Sequence, residues 1–239
     1  MTEFFAQWIT DPKIIQQLGI LERQLGTAIY ETMYSLALQV FFAYLIGLPL
    51  GVLLVTGEKN GIRPLPSWLM KLLNICINLL RSVPFLILMI IVLPLSKVIV
   101  GTKVGTMATI PPMVIAAFPM VARMVESSLR EVDHGVIEAA QSMGASPLQI
   151  IWKVLLPEAK PSLISGGTIT LTTILGYGAM AGVIGGGGLG KLAIDYGLYN
   201  FKKLVMWVAV IVLVALVQIF QTAGTKIATV SDKRLRHKN

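Results

Sequence analysis

The chain has 239 residues, of which 55% are apolar and only 13% charged, and its mean hydropathy is +0.75. Soluble domains carry roughly 25% charged residues, so this composition places the chain in a bilayer. A single cysteine, Cys76, and two distant histidines, His134 and His237, exclude a disulfide framework and a Cys/His metal set within one chain. Cys76 reads as a small buried hydrophobe. The formal net charge of +8 is compatible with nucleic acid, but in a membrane chain it is explained by basic residues retained on the cytoplasmic side.

Residues 1–26 carry Glu3 and Asp11 where a secretory signal would be basic, so no cleaved signal is read. The segment is expected to be an amphipathic leader lying on or beside the membrane. About 20 mainly apolar residues cross a bilayer. The first charge-free window of that length runs from Thr32 to Gly57, and the span is set at about 28–56. A second span is set at about 69–97, and its window from Leu72 to Ser96 is interrupted once, by Arg81. A charge inside a span costs at least about 2.5 kcal/mol on insertion scales, which makes Arg81 a candidate pathway or gate residue. A structural pair to helix carbonyls or to Glu126 is the equal alternative. Pro84, just beyond, should kink this helix. The third span is about 104–126. Tyr34 and Trp68 near span ends read as interface anchors without chemistry.

Residues 133–157 interrupt the apolar pattern. Val136, Ile137, Ala139, Ala140 and Met143 form one apolar face of a short helix, with Glu138 and Gln141 left for water or a partner. Gly144 ends that helix. Ser146 is a good N-cap, Pro147 suits the first helical position and Gln149 completes a capping box, so a second helix should run to Pro157. A DNA-binding helix-turn-helix would have to read bases with Leu148, Gln149, Ile151, Trp152 and Leu155, yet base edges are read mainly by Arg, Lys, Asn and Gln. Only Gln149 and Lys153 qualify, so no nucleic-acid partner is expected. A bare connector between spans could be far shorter.

The fourth span, about 160–184, is rich in Gly, Ala and Thr at three- and four-residue spacing, as in helices that pack closely in lipid. Gly176 and Met180, beside Tyr177 and Gly178, could line a pathway, Met180 suiting an apolar thioether ligand. Ordinary packing is the competing role. The string "GGGGLGKL" at Gly185 to Leu192 fits part of a phosphate-binding loop, but Leu192 stands where Ser or Thr is required, and no parallel sheet is expected around it. It reads as a flexible turn or helix terminus. The fifth span is about 203–227, and residues 229–239 end in the basic tail "KRLRHKN".

Five spans put the termini on opposite faces. Placing the tail in the cytoplasm also puts Lys59, Arg63, Lys71, Arg123, Arg130, Lys153 and Lys160 there, leaving fewer basic residues, among them Lys97, Lys103 and Lys202, outside. The N-terminus is then outside and the 133–157 hairpin cytoplasmic.

That hairpin resembles the "EAA" loop of bacterial ABC-importer permeases. It carries Glu138, Ala139 and Ala140, then Gly144 after three residues, and Val154, Leu156 and Pro157 after nine more; the one departure is Val for Ile at 154. The strings "LLRSVPFLILMIIVLP", "VIVGTKVGT", "ARMVESSLREV" and "LGYGAMAGVIGGGGLG" are similar to the methionine-importer permeases, over roughly residues 28–227. The resemblance implies an all-α, five-span, type I ABC importer permease of the bacterial inner membrane that works as a homodimer. It implies two cytoplasmic ATPase subunits, an extracytoplasmic methionine-binding protein, and transport by alternating access. The hairpin residues would be the coupling helix seated in the ATPase. ATP and magnesium would belong to that partner, so this chain is expected to bind no cofactor or metal, to have no catalytic residue, and to contact only membrane lipid and protein. An ABC permease for another small amino acid or an anion is the alternative within the class. A secondary transporter should show repeated halves or paired intramembrane acids, and a membrane-bound regulator should have a polar recognition helix; neither is found.

Overall fold

The computed structural model describes residues 11–232, and among them every regular element is helical. In chain order these are α1 (Pro12–Thr56), α2 (Ser67–Ser82), α3 (Phe85–Val100), α4 (Thr106–Arg130), α5 (His134–Ser142), α6 (Pro147–Ile150), α7 (Leu156–Glu158), α8 (Lys160–Ala181), α9 (Gly188–Leu192) and α10 (Lys203–Ser231). A 3-10 turn, Gly182–Ile184, follows α8, and π-helical turns occupy Ile151–Leu155 and Ala193–Tyr199. Among the described residues, α1, α4, α10 and α8 with its 3-10 turn are each long and apolar enough to cross a membrane. Together α2 and α3 make a fifth span if the bent pair is counted as one. The described residues therefore form an all-α membrane protein.

The expected kink at Pro84 is a full break. Val83 is extended (φ −78°, ψ 129°), and the axes of α2 and α3 differ by 109°. A proline disfavours the α region for the residue before it and has no N–H to continue the ladder. Its carbonyl starts the next helix by accepting the Leu88 N–H at 3.0 Å.

The expected boundary near residue 26 has no counterpart in secondary structure, because α1 passes through it unbroken. Asp11 opens this helix, its carboxylate accepting the Lys13 N–H at 2.8 Å. At 45 residues and 1.5 Å rise, α1 is about 68 Å long, roughly twice the hydrocarbon thickness of a bilayer. Residues 1–10 and the tail from Lys233 lie outside the described residues.

The chain divides into two compact units. In the unit that takes residues to 39, 89–113 and 174–218, Ile14, Leu21 and Ala28 recur at seven-residue spacing and are buried. Leu21 and Ala28 pack with Leu189 and Leu192 of α9 and Val205 and Ala209 of α10. Gln17 accepts the Leu204 N–H at 3.0 Å, and Gln24 donates to the Tyr196 hydroxyl at 2.7 Å. The leader thus supplies part of the core of its unit.

The unit of residues 40–88, 114–173 and 219 onward is organised around α4, whose Val121, Ala122, Val125 and Leu129 are fully buried. Gly47 and Gly51, four apart on α1, let that helix touch α4. A Cβ at Gly51 would lie 2.5 Å from Val125 Cβ and 2.6 Å from the Ala122 carbonyl oxygen. With lipid as apolar as leucine, close backbone approach of this kind replaces the hydrophobic drive. Overpacking should make Gly51→Leu less stable by about 2–3 kcal/mol. Gly26→Ala, where nothing lies within 4 Å of the new Cβ, should gain up to about 1 kcal/mol from helix propensity. Thermal denaturation in detergent should show the two midpoints moving in opposite directions.

Candidate functional site

The hairpin, the end of α2, the break at Pro84 and the residues that tie α2 to α4 all belong to the second unit. Asp133 caps α5, its carboxylate accepting the Gly135 N–H at 2.7 Å. At the other end the Gly144 N–H reaches the Gln141 carbonyl at 2.9 Å and the Ala145 N–H the Ala140 carbonyl at 3.1 Å. This pair of reversed bonds is a Schellman motif, which needs a left-handed residue at its pivot. Gly144 supplies it at φ +78°. The capping box then starts α6: Ser146 Oγ accepts the Gln149 N–H at 3.4 Å, and Gln149 Oε1 accepts the Ser146 N–H at 2.8 Å.

Beyond α6 the structure departs from the expected regular helix ending at Pro157. The backbone widens into the π turn, with the Leu156 N–H bonded to the Ile151 carbonyl. Pro157 lies inside α7, and the chain runs on toward α8, the Ala159 N–H reaching the Leu155 carbonyl at 3.1 Å. A proline at 157 cannot donate to the residue four back, so a π register ahead of it removes the unmet bond from the middle of the helix. The wider turn also brings buried Ile150 and Leu155 toward one face, where a regular α-helix would set them about 140° apart.

The single apolar face expected on α5 is two stripes. Ile137 and Ala140 point inward and are buried, whereas Val136, Ala139 and Met143 point outward at three- and four-residue spacing. Glu138 and Gly144 are exposed, and Val154 and Leu156 are half-buried. With Leu148 at 61% and Trp152 at 68% exposure, Met143 at 82% completes an apolar surface of a kind that marks contact sites.

Arg81 stands in the last turn of α2, where a cation is favoured by the helix dipole, and its side chain is exposed. The alternative pairing of Arg81 with Glu126 does not form. Glu126 is held by Arg123 at 2.6 Å and Arg130 at 2.9 Å. Arg123 also donates to Asn74 at 2.7 Å and Asn78 at 2.9 Å, and Arg130 pairs with Glu58. Sequence reading missed this network. Its signal was there: Asn74 and Asn78 lie one turn apart in an apolar window, opposite Arg123, Glu126 and Arg130 at three- and four-residue spacing. Cys76 is exposed on α2 and not buried as expected, since the only buried side chain of that helix is Ile77.

In the other unit, Gly176 and Met180 share one exposed face of α8, with open space beside Gly176 and Met180 46% exposed. The glycine run is not a loose turn. Gly185 and Gly188 take φ of +83° and +78°, and a Cβ at Gly187 would collide with Thr106 Oγ1. Glu31 accepts the Gly188 N–H at 2.7 Å, and Thr32 Oγ1 the Leu189 N–H at 2.9 Å. Among the described residues, no three His, Cys, Asp or Glu side chains are grouped to hold a metal.

A family model for the inner membrane component of binding-protein-dependent transport systems matches residues 47–237. The chain belongs to this family. It is 48% identical over 222 residues to the probable D-methionine transport system permease protein MetI of Vibrio cholerae, covering 92% of this chain and 98% of that protein. It is 45% identical over 215 residues to the methionine import system permease protein MetP of Bacillus subtilis, covering 88% and 95%. Its fold matches a chain of the MetNI methionine ABC transporter, solved in inward-facing conformations, with a TM-score of 0.86 and 41% identity over 89% of this chain and 98% of that one. An amino acid ABC transporter solved with histidines shares the fold at a TM-score of 0.67 and 17% identity. The architecture is thus that of a type I ABC importer permease, an inner membrane transport component.

Since nothing crowds a Cβ at Gly144, Gly144→Ala tests its backbone alone. A left-handed residue with a Cβ costs roughly 1–2 kcal/mol, about five- to thirtyfold in local opening. Amide exchange at Gly144 and Ala145 should accelerate by that factor in Gly144→Ala and by less in Gly144→Asn, because asparagine tolerates the conformation.

Proposed function

We propose that this chain is the permease subunit of an ATP-driven methionine importer, receiving the amino acid from an extracytoplasmic binding protein. The observation that supports this most is the hairpin. It presents Glu138, Ala139 and Gly144 at its surface on a turn closed by backbone bonds on the α5 side and a capping box on the α6 side, within a chain 41% identical to a MetNI chain and matching 98% of its length. A pre-formed turn loses little conformational entropy on seating in a partner groove. Small Ala139 and Gly144 allow close approach, and Glu138 supplies a charge for pairing.

In this reading two copies of the chain line one pathway, and each hairpin seats in a cytoplasmic ATPase subunit that binds ATP and magnesium. Closure of the ATPase pair moves the hairpins and opens the pathway outward; hydrolysis and release return it inward. Alternation follows from the ATP-bound ATPases favouring one of two pathway states. Exposed Met143, Leu148 and Trp152 would bury apolar area in the ATPase contact. Ala140 lies inside the hairpin and half-buried Val154 and Leu156 shape its base, whereas exposed Pro157 joins Glu138, Ala139 and Gly144 at the surface of the contact. Arg81 at the break, with Pro84, is assigned to the gate, and Gly176 with Met180 to the pathway wall. The N-terminus lies outside and the C-terminus in the cytoplasm.

Co-expression with candidate ATPase and binding-protein partners should give ATP-dependent uptake of labelled methionine. Uptake that needs no ATP, or that carries only other solutes, would overturn the reading. Glu138→Lys and Gly144→Trp should insert normally yet lose ATPase stimulation; copurification of both with a fully stimulated ATPase would remove the hairpin from its coupling role.

A further inference from the structure

We infer that Arg123 is the positioning residue through which the hairpin moves the broken span, resting on the transport reading above. In the second unit one apolar seam holds α2: Ile77 packs with Leu54 of α1 and Ala122 of α4, with Met70 and Leu73 beside it. Ile77 is its only buried side chain, and Leu72, Ile75 and Leu79 are 49–65% exposed. Beside that seam stands a guanidinium that donates to both amide-bearing positions of the helix. Arg123 bonds Asn74 Oδ1 at 2.7 Å and Asn78 Oδ1 at 2.9 Å through one nitrogen and Glu126 at 2.6 Å through another. The Asn74 amide is itself aimed by donating to the Met70 carbonyl at 2.9 Å, which turns its oxygen to the arginine. Side-chain exposure is 20% for Arg123 and 12% for Glu126, so neither charge can exchange this partner for water at no cost.

The other end of the network leads to the hairpin. Glu126 also takes Arg130, which reaches Glu58 in the connection after α1. Arg130 closes α4, and three residues later α5 begins on its Asp133 cap. A push on the hairpin therefore arrives at a helix whose charged fork grips α2 at two points one turn apart, and α2 carries Arg81 and the Pro84 break on its free end. Only arginine offers that planar fork. Lysine is a single point charge on a flexible stem and would hold one asparagine at a time.

The test uses the assembled complex with its ATPase partners, carrying Arg123→Gln, Arg123→Lys or the double change Asn74→Leu with Asn78→Leu, and Ile77→Ala as a packing control. Two ratios are read: methionine transported per ATP hydrolysed, and the ATP-induced change in an environment-sensitive maleimide fluorophore on Cys76, the chain's single cysteine, exposed on α2. Arg123→Gln and the double variant should assemble and hydrolyse ATP while both readouts fall about tenfold, the order expected when one side of a partly buried charged contact is lost. Arg123→Lys should recover only part of each, and Ile77→Ala should lower stability and leave both ratios unchanged. Ratios within twofold of wild type in assembled variants would overturn the inference, as would loss of assembly in all the network variants, which would make the network structural only. The Cys76 signal needs no transported solute. A wild-type complex that moves no methionine but shows the Arg123-dependent signal therefore sinks the cargo reading and leaves this one standing.

Discussion

A bilayer offers the backbone no water, so every N–H and C=O that a helix fails to pair must be met by another protein group. The need for partners shapes four interruptions of regular helix, in the spans and in the loops between them. At Pro84 the ladder stops because proline has no donor, and the flanking turns restart around its carbonyl. At Pro157 the same deficit is absorbed by a π turn. At Gly188 and Leu189 two orphan donors are met by the Glu31 carboxylate and the Thr32 hydroxyl. At Gly144 the turn closes on itself through the Schellman bonds. The break, the hairpin and the glycine turn are built at these interruptions.

Between those interruptions, the helices are held by shape and by a few polar groups. Gly47 and Gly51 bring α1 against Val121 and Val125 of α4 at distances no Cβ would permit. Along α2, where Ile77, Met70 and Leu73 pack with Leu54 and Ala122, Arg123 and its asparagines add a polar tie. The difference suits the parts. Close-packed helices resist relative motion, whereas α2 is tied by a short apolar seam and one charged fork.

Much of the fold was legible from residue order. Charge-free windows of sufficient length lie within the long helices, and Ser146, Pro147, Gln149 and Gly144 announced the hairpin, because caps and left-handed turns depend on residues within a few positions of each other. Less legible was any feature set by a partner far along the chain. The five apolar positions on α5 did not reveal that Ile137 and Ala140 turn inward while Val136, Ala139 and Met143 turn out. Nor did Cys76 reveal that α2 leaves it exposed, nor the glycine run that Thr106 and Glu31 crowd Gly187.

By itself, then, the amino-acid order determined what obeys short-range rules: membrane residence from hydropathy, helix starts and stops from caps, a hairpin from Gly144, and an interruption at Pro84. Only the tertiary structure decided the rest. It turned a kink into a break of 109°, joined the leader to the first span as one helix with Leu21 and Ala28 in a core, and directed Arg123 to Asn74 and Asn78, over forty positions away. The reason is physical. A cap is chosen among neighbours already tethered together, but a half-buried arginine is satisfied by whichever acceptors packing brings within 3 Å.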